Sequence, residues 1–291
     1  MKNKIKKEMP GILFSIPALL IIITFYIYPL IKTMVYSVTF TNEHGKIVEM
    51  AWLENFYELF TDKSFYEGLI ATLKFSAITV IFSILISLIL AILCNEKLKG
   101  VPLFRTIFSS TMGISVSAGA SIVLFLFHPS IGMINESLKL IGILPINWFT
   151  DSSYSIWAVA ITTIWMNIGF GFLVLTSGLQ NIGVEIDESS QIDGVSYFQK
   201  LLKITLPLLS PSIFYLLITT TLKSFQSFGQ VDILTGGGPS NSTNFIVYSI
   251  YKTAFTNYRF DYASVQGIIL LTIICIIMFF KFKFERKVHY Q

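Results

Sequence analysis

An all-α polytopic membrane protein with six transmembrane helices and both termini in the cytoplasm is the fold class this sequence predicts. Hydrophobic residues make up 53% and charged residues 13%, against roughly 25% charged in a soluble domain. Six long stretches carry no charge: 11–31, 75–94, 106–127, 155–179, 205–222 and 262–280. A helix needs roughly 20 residues to span the hydrocarbon core. Backbone polar groups in lipid must be satisfied internally, so runs of this length read as helices. The alternating pattern of a barrel strand is missing from them.

The expected spans are about 10–37, 67–95, 104–127, 154–179, 205–230 and 260–282, in one transmembrane domain over 1–291 with a loop at 180–204. The first follows a basic start (Lys2, Lys4, Lys6, Lys7) but is too long for a signal-peptide core, and no small-residue cleavage site follows it. It reads as a retained helix. With the N-terminus inside, those four lysines fall on the cytoplasmic side. So do Lys97, Lys99 and Arg105, then Lys200 and Lys203, then Lys281, Lys283, Arg286 and Lys287. The outer segments hold fewer: Lys46, Lys63, Lys139, Lys252 and Arg259. Lys32, Lys74 and Lys223 lie in or beside helices. This bias follows the positive-inside rule. The net charge of +4 is therefore a topology signal and is no argument for nucleic-acid binding.

Small residues recur every fourth position in the second span (Thr79, Ser83, Ser87, Ala91) and the third (Ser109, Gly113, Ser117, Ser121). Such stripes let membrane helices approach closely, and packing is the expected use of these serines. Cys94 and Cys275 lie at or within helices, which argues against a disulfide framework or a thiolate metal site. His44, His128 and His289 are far apart, and no metal site is expected. The outer loops at 38–66, 128–153 and 231–259 are ordinary connectors or surfaces for an external partner; the last contains the turn signal Gly236-Gly237-Gly238-Pro239.

The segment from Gln180 to Pro207 carries the most information. Gly194 suits the left-handed residue that ends a short helix. Ser196 with Gln199 has the spacing of a capping box that starts a second one. Pro207 stands in the first turn of the fifth span, where proline is tolerated. Ile186, Ile192, Val195, Phe198, Leu201 and Leu202 alternate with Glu185, Asp187, Glu188 and Asp193. An amphipathic loop of this kind seeks a protein partner or lies on the membrane surface.

Here the sequence resembles the permease subunits of binding-protein-dependent ABC importers, of the maltose, glycerol-3-phosphate and multiple-sugar type. That family carries E-A-A, three residues, G, nine residues, I-x-L-P. This chain has Glu188-Ser189-Ser190, then Gly194, then Ile204-Thr205-Leu206-Pro207 at the same spacing. Two serines replace the alanines, and Gly183 stands where the sugar branch typically has proline. Trp52-Leu-Glu-Asn-Phe56, Phe104-Arg105-Thr106, Trp165 with Gly169-Phe170, Gly178-Leu179-Gln180, Leu234 to Pro239, Tyr251 and Phe255 extend the resemblance over nearly the whole chain.

The resemblance implies a coupling helix that docks on a cytoplasmic ATPase dimer, with Glu188, Ser189, Ser190, Asp193 and Gly194 at the contact. It also implies a second permease of similar fold, an extracytoplasmic solute-binding protein, a carbohydrate cargo and a prokaryotic cell membrane. The chain has no G-x-x-x-x-G-K-[ST] phosphate loop. It is thus expected to be no enzyme and to hold no cofactor, with ATP and Mg bound by the partner ATPase. Alignment to relatives implies substrate contacts from Thr163, Asn167 and Phe170 in the fourth span and Thr220, Ser224 and Ser227 in the fifth. Each triplet shares a helix face, and hydroxyls, an amide and an aromatic ring suit a sugar. Lys223 is the least lipid-compatible residue, and lines the pathway or snorkels outward. Helix packing by these Ser and Thr residues is the alternative. An ion-gradient-driven transporter or channel subunit is the other functional reading, but the span interiors lack Asp and Glu. An intramembrane enzyme would need a motif such as H-E-x-x-H or G-x-S-x-G, and neither occurs.

Overall fold

A computed structural model describes residues 14–95 and 100–284, without the side chains of Val184, Asp187, Glu188, Gln191 and Phe284. Of the charges that set the expected orientation, Lys2, Lys4, Lys6, Lys7, Lys97, Lys99, Arg286 and Lys287 lie outside these residues, as does the start of the first span. In chain order the helices are α1 (Phe14–Ser37), α2 (Glu54–Thr61), α3 (Lys63–Leu93), α4 (Val101–Gly113), α5 (Val116–Leu126) and α6 (Met133–Leu140). They continue with α7 (Ser152–Gln180), α8 (Val184–Ile192), α9 (Tyr197–Phe225), α10 (Gly229–Leu234), α11 (Ile246–Tyr251) and α12 (Phe260–Phe284). Among the described residues α1, α3, α7, α9 and α12 are long and apolar enough to cross a bilayer. The bent pair α4–α5 supplies a sixth crossing when taken as one span. The chain is an all-α polytopic membrane protein; among the described residues the one departure is a hairpin of β1 (Thr39–Thr41) and β2 (Ile47–Met50), which pair antiparallel with a bulge after Phe40.

The chain divides into two compact units. The first comprises residues up to 62 together with 250–271. Its helix α1 exposes apolar side chains such as Leu20, Phe25 and Ile31, a surface suited to lipid or to another subunit. Asn55 is fully buried and donates through Nδ2 to the carbonyls of Ser37 (3.2 Å) and Thr39 (3.0 Å), which fixes α2 under the hairpin. Arg259 grips Glu58 in a fork, at 2.5 and 2.7 Å. The guanidinium holds the Glu58 carboxyl below its ordinary value, and Glu58 in turn raises the Arg259 value.

The second unit comprises 63–249 and residues from 272. Its core packs α3 against α7. The stripe Thr79, Ser83, Ser87 and Ala91 is buried along its length, as its spacing predicts. A Cβ on Gly171 would collide with the Ser87 side chain, so glycine there sets the approach of the two helices. Phe75 stacks on Phe245 at 4.3 Å between ring centres. Arg105 donates Nε and Nη2 to the Cys94 carbonyl at 3.2 and 2.8 Å, satisfying an orphan acceptor at the end of α3. In the outer loop Asn135 is a buried hub. Its Nδ2 donates to Pro129 O and Ile146 O, while its Oδ1 accepts from Ile146 N and Trp148 Nε1.

Two expectations are corrected. The third span is not one helix over 104–127. It breaks at Ile114–Ser115 into α4 and α5, with a bend of 108° between them, and Ser115 caps α5 by accepting from Ala118 N at 3.2 Å. The stripe Ser109, Gly113, Ser117, Ser121 therefore forms no continuous face. Gly119, Ala120 and Val123 are buried instead. The fifth span does not run unbroken over 205–230. Its helix stops at Phe225, turns through Gln226–Phe228 and resumes as α10.

Candidate functional site

The loop between α7 and α9 folds as its residues predict. Gly183 precedes α8 and Gly194 follows it with φ of +67°. Val195 N donates to Ser190 O at 3.1 Å, the bond that closes a left-handed helix end. The next residues start α9. Ser196 Oγ accepts from Gln199 N at 3.4 Å, and Ser196 N donates to Gln199 Oε1 at 3.3 Å, a complete capping box. A π-turn at Leu201–Thr205 leads into the long apolar part of α9, with Pro207 in its first turn. Ser189, Ile192, Asp193, Phe198 and Leu202 are exposed, whereas Ser190 is buried. Ile192 and Phe198, at 86% and 72% exposed, give the loop an apolar surface that nothing among the described residues covers. The Glu188 side chain lies outside the description; its backbone is helical.

The second candidate region is the packing of α7 against α9. Gly178 sets it: a Cβ there would meet Ser212 Oγ and come within 2.7 Å of Leu209. The seven residues expected to touch substrate fall into two groups. Thr163, Thr220, Ser224 and Ser227 are buried in the unit. Thr163 donates to Val159 O at 2.9 Å and Ser227 to Lys223 O at 3.2 Å. Ser224 Oγ meets Ser76 Oγ of α3 at 2.6 Å. Phe170 and Lys223 present themselves differently. Phe170 is half-buried and Lys223 exposed, with the ammonium 4.2 Å from the ring centre. Asn167 lies between these groups; its Nδ2 is buried without a hydrogen-bond partner among the described residues.

Sequence reasoning missed four features of this region. The bend between α4 and α5 sits against α7, where Gly169 leaves room for it: a Cβ would come within 2.5 Å of Thr111 Oγ1 and 2.8 Å of Met112 N. An open groove of about 420 Å³ runs beside it, lined by Met112, Phe170, Leu173, Val174, Ser177, Gly178, Asn181 and Ser212. It shares only Phe170 with the expected contact set. Tyr215, half-exposed, lies 6.2 Å from Phe170 ring to ring, and with Thr219 and Lys223 it marks one stripe of α9 at four-residue spacing. That spacing was readable. In α12, Lys281 Nζ donates to Leu217 O at 3.0 Å and to Thr221 Oγ1, which ties α12 to α9. Among the described residues no cluster of His, Cys, Asp and Glu is arranged to hold a metal ion.

Comparison with known proteins places these features. The family described as "binding-protein-dependent transport system inner membrane component" matches residues 83–288. A sn-glycerol-3-phosphate transport system permease protein UgpA of Yersinia pestis is 31% identical over 281 residues, covering 96% of this chain and 95% of that one. One from Agrobacterium fabrum is 28% identical, covering 98% and 97%. Among solved structures, a chain of a bacterial alginate ABC transporter, crystallised with an alginate pentasaccharide-bound periplasmic protein, superposes with a TM-score of 0.87 at 22% identity, covering 99% and 98%. A chain of a methionine ABC transporter reaches 0.53 at 18% identity over 78% of this chain and 97% of its own. This multi-pass membrane chain belongs to the family of binding-protein-dependent transport system inner membrane components.

Proposed function

We propose that this chain is the transmembrane permease subunit of an ATP-driven carbohydrate importer. It would form half of the translocation pathway, and its 185–206 loop would couple to a separate ATPase. One observation carries the reading: a capped, glycine-bent pair of helices with uncovered apolar side chains, at the spacing Glu188-Ser189-Ser190, Gly194, Ile204-Thr205-Leu206-Pro207. Such a segment has the shape and surface of a docking element. Full-length similarity to permeases named for sn-glycerol 3-phosphate, and the fold shared with a chain of an alginate transporter, support a carbohydrate or polyol cargo.

In this proposal the ATPase is a cytoplasmic dimer that binds ATP and Mg, and this chain binds neither. Both termini and the 180–204 loop are cytoplasmic, in line with the lysine and arginine bias. A second permease of similar fold completes the pathway, and an extracytoplasmic binding protein delivers the sugar. Glu188, Ser189, Ser190, Asp193 and Gly194 receive the motion of the ATPases. Phe170, Asn167 and Lys223 line the pathway; Thr163, Thr220, Ser224 and Ser227, buried in the bundle, shape it from within. The irregular backbone at Gln226–Phe228 supports this placement, since non-helical chain at membrane depth is tolerated where protein or a water-filled cavity surrounds it.

The test is the double variant Glu188→Ala, Gly194→Leu in the assembled transporter. A residue with Cβ at φ of +67° is strained, and loss of the acid removes the expected contact. Substrate-stimulated ATP hydrolysis is expected to disappear while membrane insertion persists. Unchanged stimulation removes the coupling role.

A further inference from the structure

Resting on the importer reading, we propose that Lys223, held on Phe170, is an anion-receiving site in the pathway, and that the cargo is a carbohydrate bearing a carboxylate or phosphate.

The charge of Lys223 is unbalanced. An ammonium on a membrane-crossing helix is costly and is retained where it meets water, a counter-ion or a ligand. Lys223 has no carboxylate within ion-pair distance among the described residues. Helices α4, α5, α7 and α9 contain no Asp or Glu at all, and the acid in α3, Glu67, pairs with Lys63. The adjoining α10 carries one acid, Asp232, which is exposed and makes no ion pair with Lys223 among the described residues.

The surroundings of Lys223 favour a place in the pathway over escape to the outer surface. Lys223 stands in the last turn of α9, at the end of the apolar span Tyr197–Phe225, but packed protein continues beyond it. Beyond Gln226–Phe228 the chain enters α10, where Gln230, Val231 and Leu234 are buried. Val231 and Leu234 join a core with Ala120, Val123 and Val159. The turn is thus an interruption within packed protein. Its exposed residues, Lys223 and Gln226, face away from that core.

The position of the charge is also biased. The ring of Phe170 lies 4.2 Å from Nζ, and a cation over a ring face is held there electrostatically. The negative end of the α9 dipole favours the ammonium in the same turn. Tyr215, two turns earlier on the same stripe and half-exposed, offers an aromatic surface to the C–H face of a sugar ring. A cation beside an aromatic platform recognises a ring with an anionic substituent. A neutral sugar would leave the ammonium uncompensated, and a focused positive potential enriches anions over neutral solutes.

The test works whichever sugar is carried. In the assembled transporter, with Cys275→Ser and the buried Cys94 retained, a single cysteine is placed at Gln226 or, as a second site, at Thr219. Its reaction rates with an anionic (ethylsulfonate) and a cationic (ethyltrimethylammonium) methanethiosulfonate are compared with and without Lys223→Gln. The anion-to-cation rate ratio is expected to fall about tenfold when the lysine is removed, a size set by one unit charge at close range in partly aqueous surroundings. Millimolar glucuronate or glycerol 3-phosphate is expected to slow modification in the Lys223 protein only, whereas glucose and glycerol are not. An unchanged ratio, or equal protection by the charged and neutral solutes, overturns the anion site and leaves the importer reading standing. A cysteine that reacts with neither reagent at either position overturns the site together with the placement of the pathway on this face.

Discussion

Gly169 offers the sharpest test of how the bent third crossing is held. A methyl group at this position would lie 2.5 Å from Thr111 Oγ1, 2.8 Å from Met112 N and 3.1 Å from Phe108 O. Two of the three obstacles are backbone atoms, so no rotamer change relieves them; α4 and its bend must move away from α7 by most of an ångström. Overpacking of this kind costs about 1–3 kcal/mol, and immovable backbone places Gly169→Ala near the upper end. Replacing a helical glycine returns about 0.5–1 kcal/mol of backbone entropy. The net loss is about 2 kcal/mol, roughly a thirtyfold fall in the folded-to-unfolded ratio. Gly267 in α12 is the matched control, because nothing lies within 4 Å of its methyl position; Gly267→Ala is expected to be neutral or slightly stabilising. Equilibrium unfolding of the purified chain in mixed detergent micelles, titrated with dodecyl sulfate, reads both variants against the parent. Equal stability of Gly169→Ala and the parent, or equal losses in both variants, would refute the packing argument.

Two further outcomes follow from single contacts. The Ser76–Ser224 hydrogen bond of 2.6 Å is expected to give a coupling energy of about 0.6 kcal/mol in a double-alanine cycle, as membrane-buried pairs do; zero coupling with a raised KM for uptake in Ser224→Ala would instead make this hydroxyl a direct substrate contact. For Glu58 the sign is set by its depressed folded value. Its pairing with Arg259 stabilises above the ordinary glutamate value of 4.5, and the contribution is lost as pH falls through the lower folded value. Both side chains are more than 40% exposed, so the effect is below about 1 kcal/mol. Glu58→Gln is expected to flatten this part of the pH–melting curve, and an unaltered slope would contradict it.

The crossings and the 180–207 loop were legible because their signals are local. An uninterrupted apolar run announces a span, and Gly194, Ser196 and Gln199 state their turn and cap within six residues. The bend at Ile114–Ser115 was not read. Hydropathy is blind to a change of direction, and although Ser115 is a sequence-readable cap, no proline marks the break. The stripe at Ser109–Ser121 misled for the same reason: four-residue spacing predicts a face only while the helix is continuous. The interruption at Gln226–Phe228 lies inside a polar stretch whose composition does not mark a break. The partners of Lys281 and Ser224 were out of reach, because Leu217 and Ser76 lie 64 and 148 residues away in sequence and only the packing of α9 brings them close. The groove at Phe170 arises from the same packing.

The central claim is that the capped turn between α8 and α9 faces the cell interior and meets the ATPase. Ser189 is exposed on α8 and carries the most direct measurement: a cysteine there, in sealed vesicles of known orientation, challenged with a membrane-impermeant maleimide from each side, with and without the ATPase subunits. Labelling from the cytoplasmic side alone, suppressed when the ATPase is bound, is the result this account predicts. Labelling from the outer side, or cytoplasmic labelling that the ATPase leaves unchanged, would contradict it.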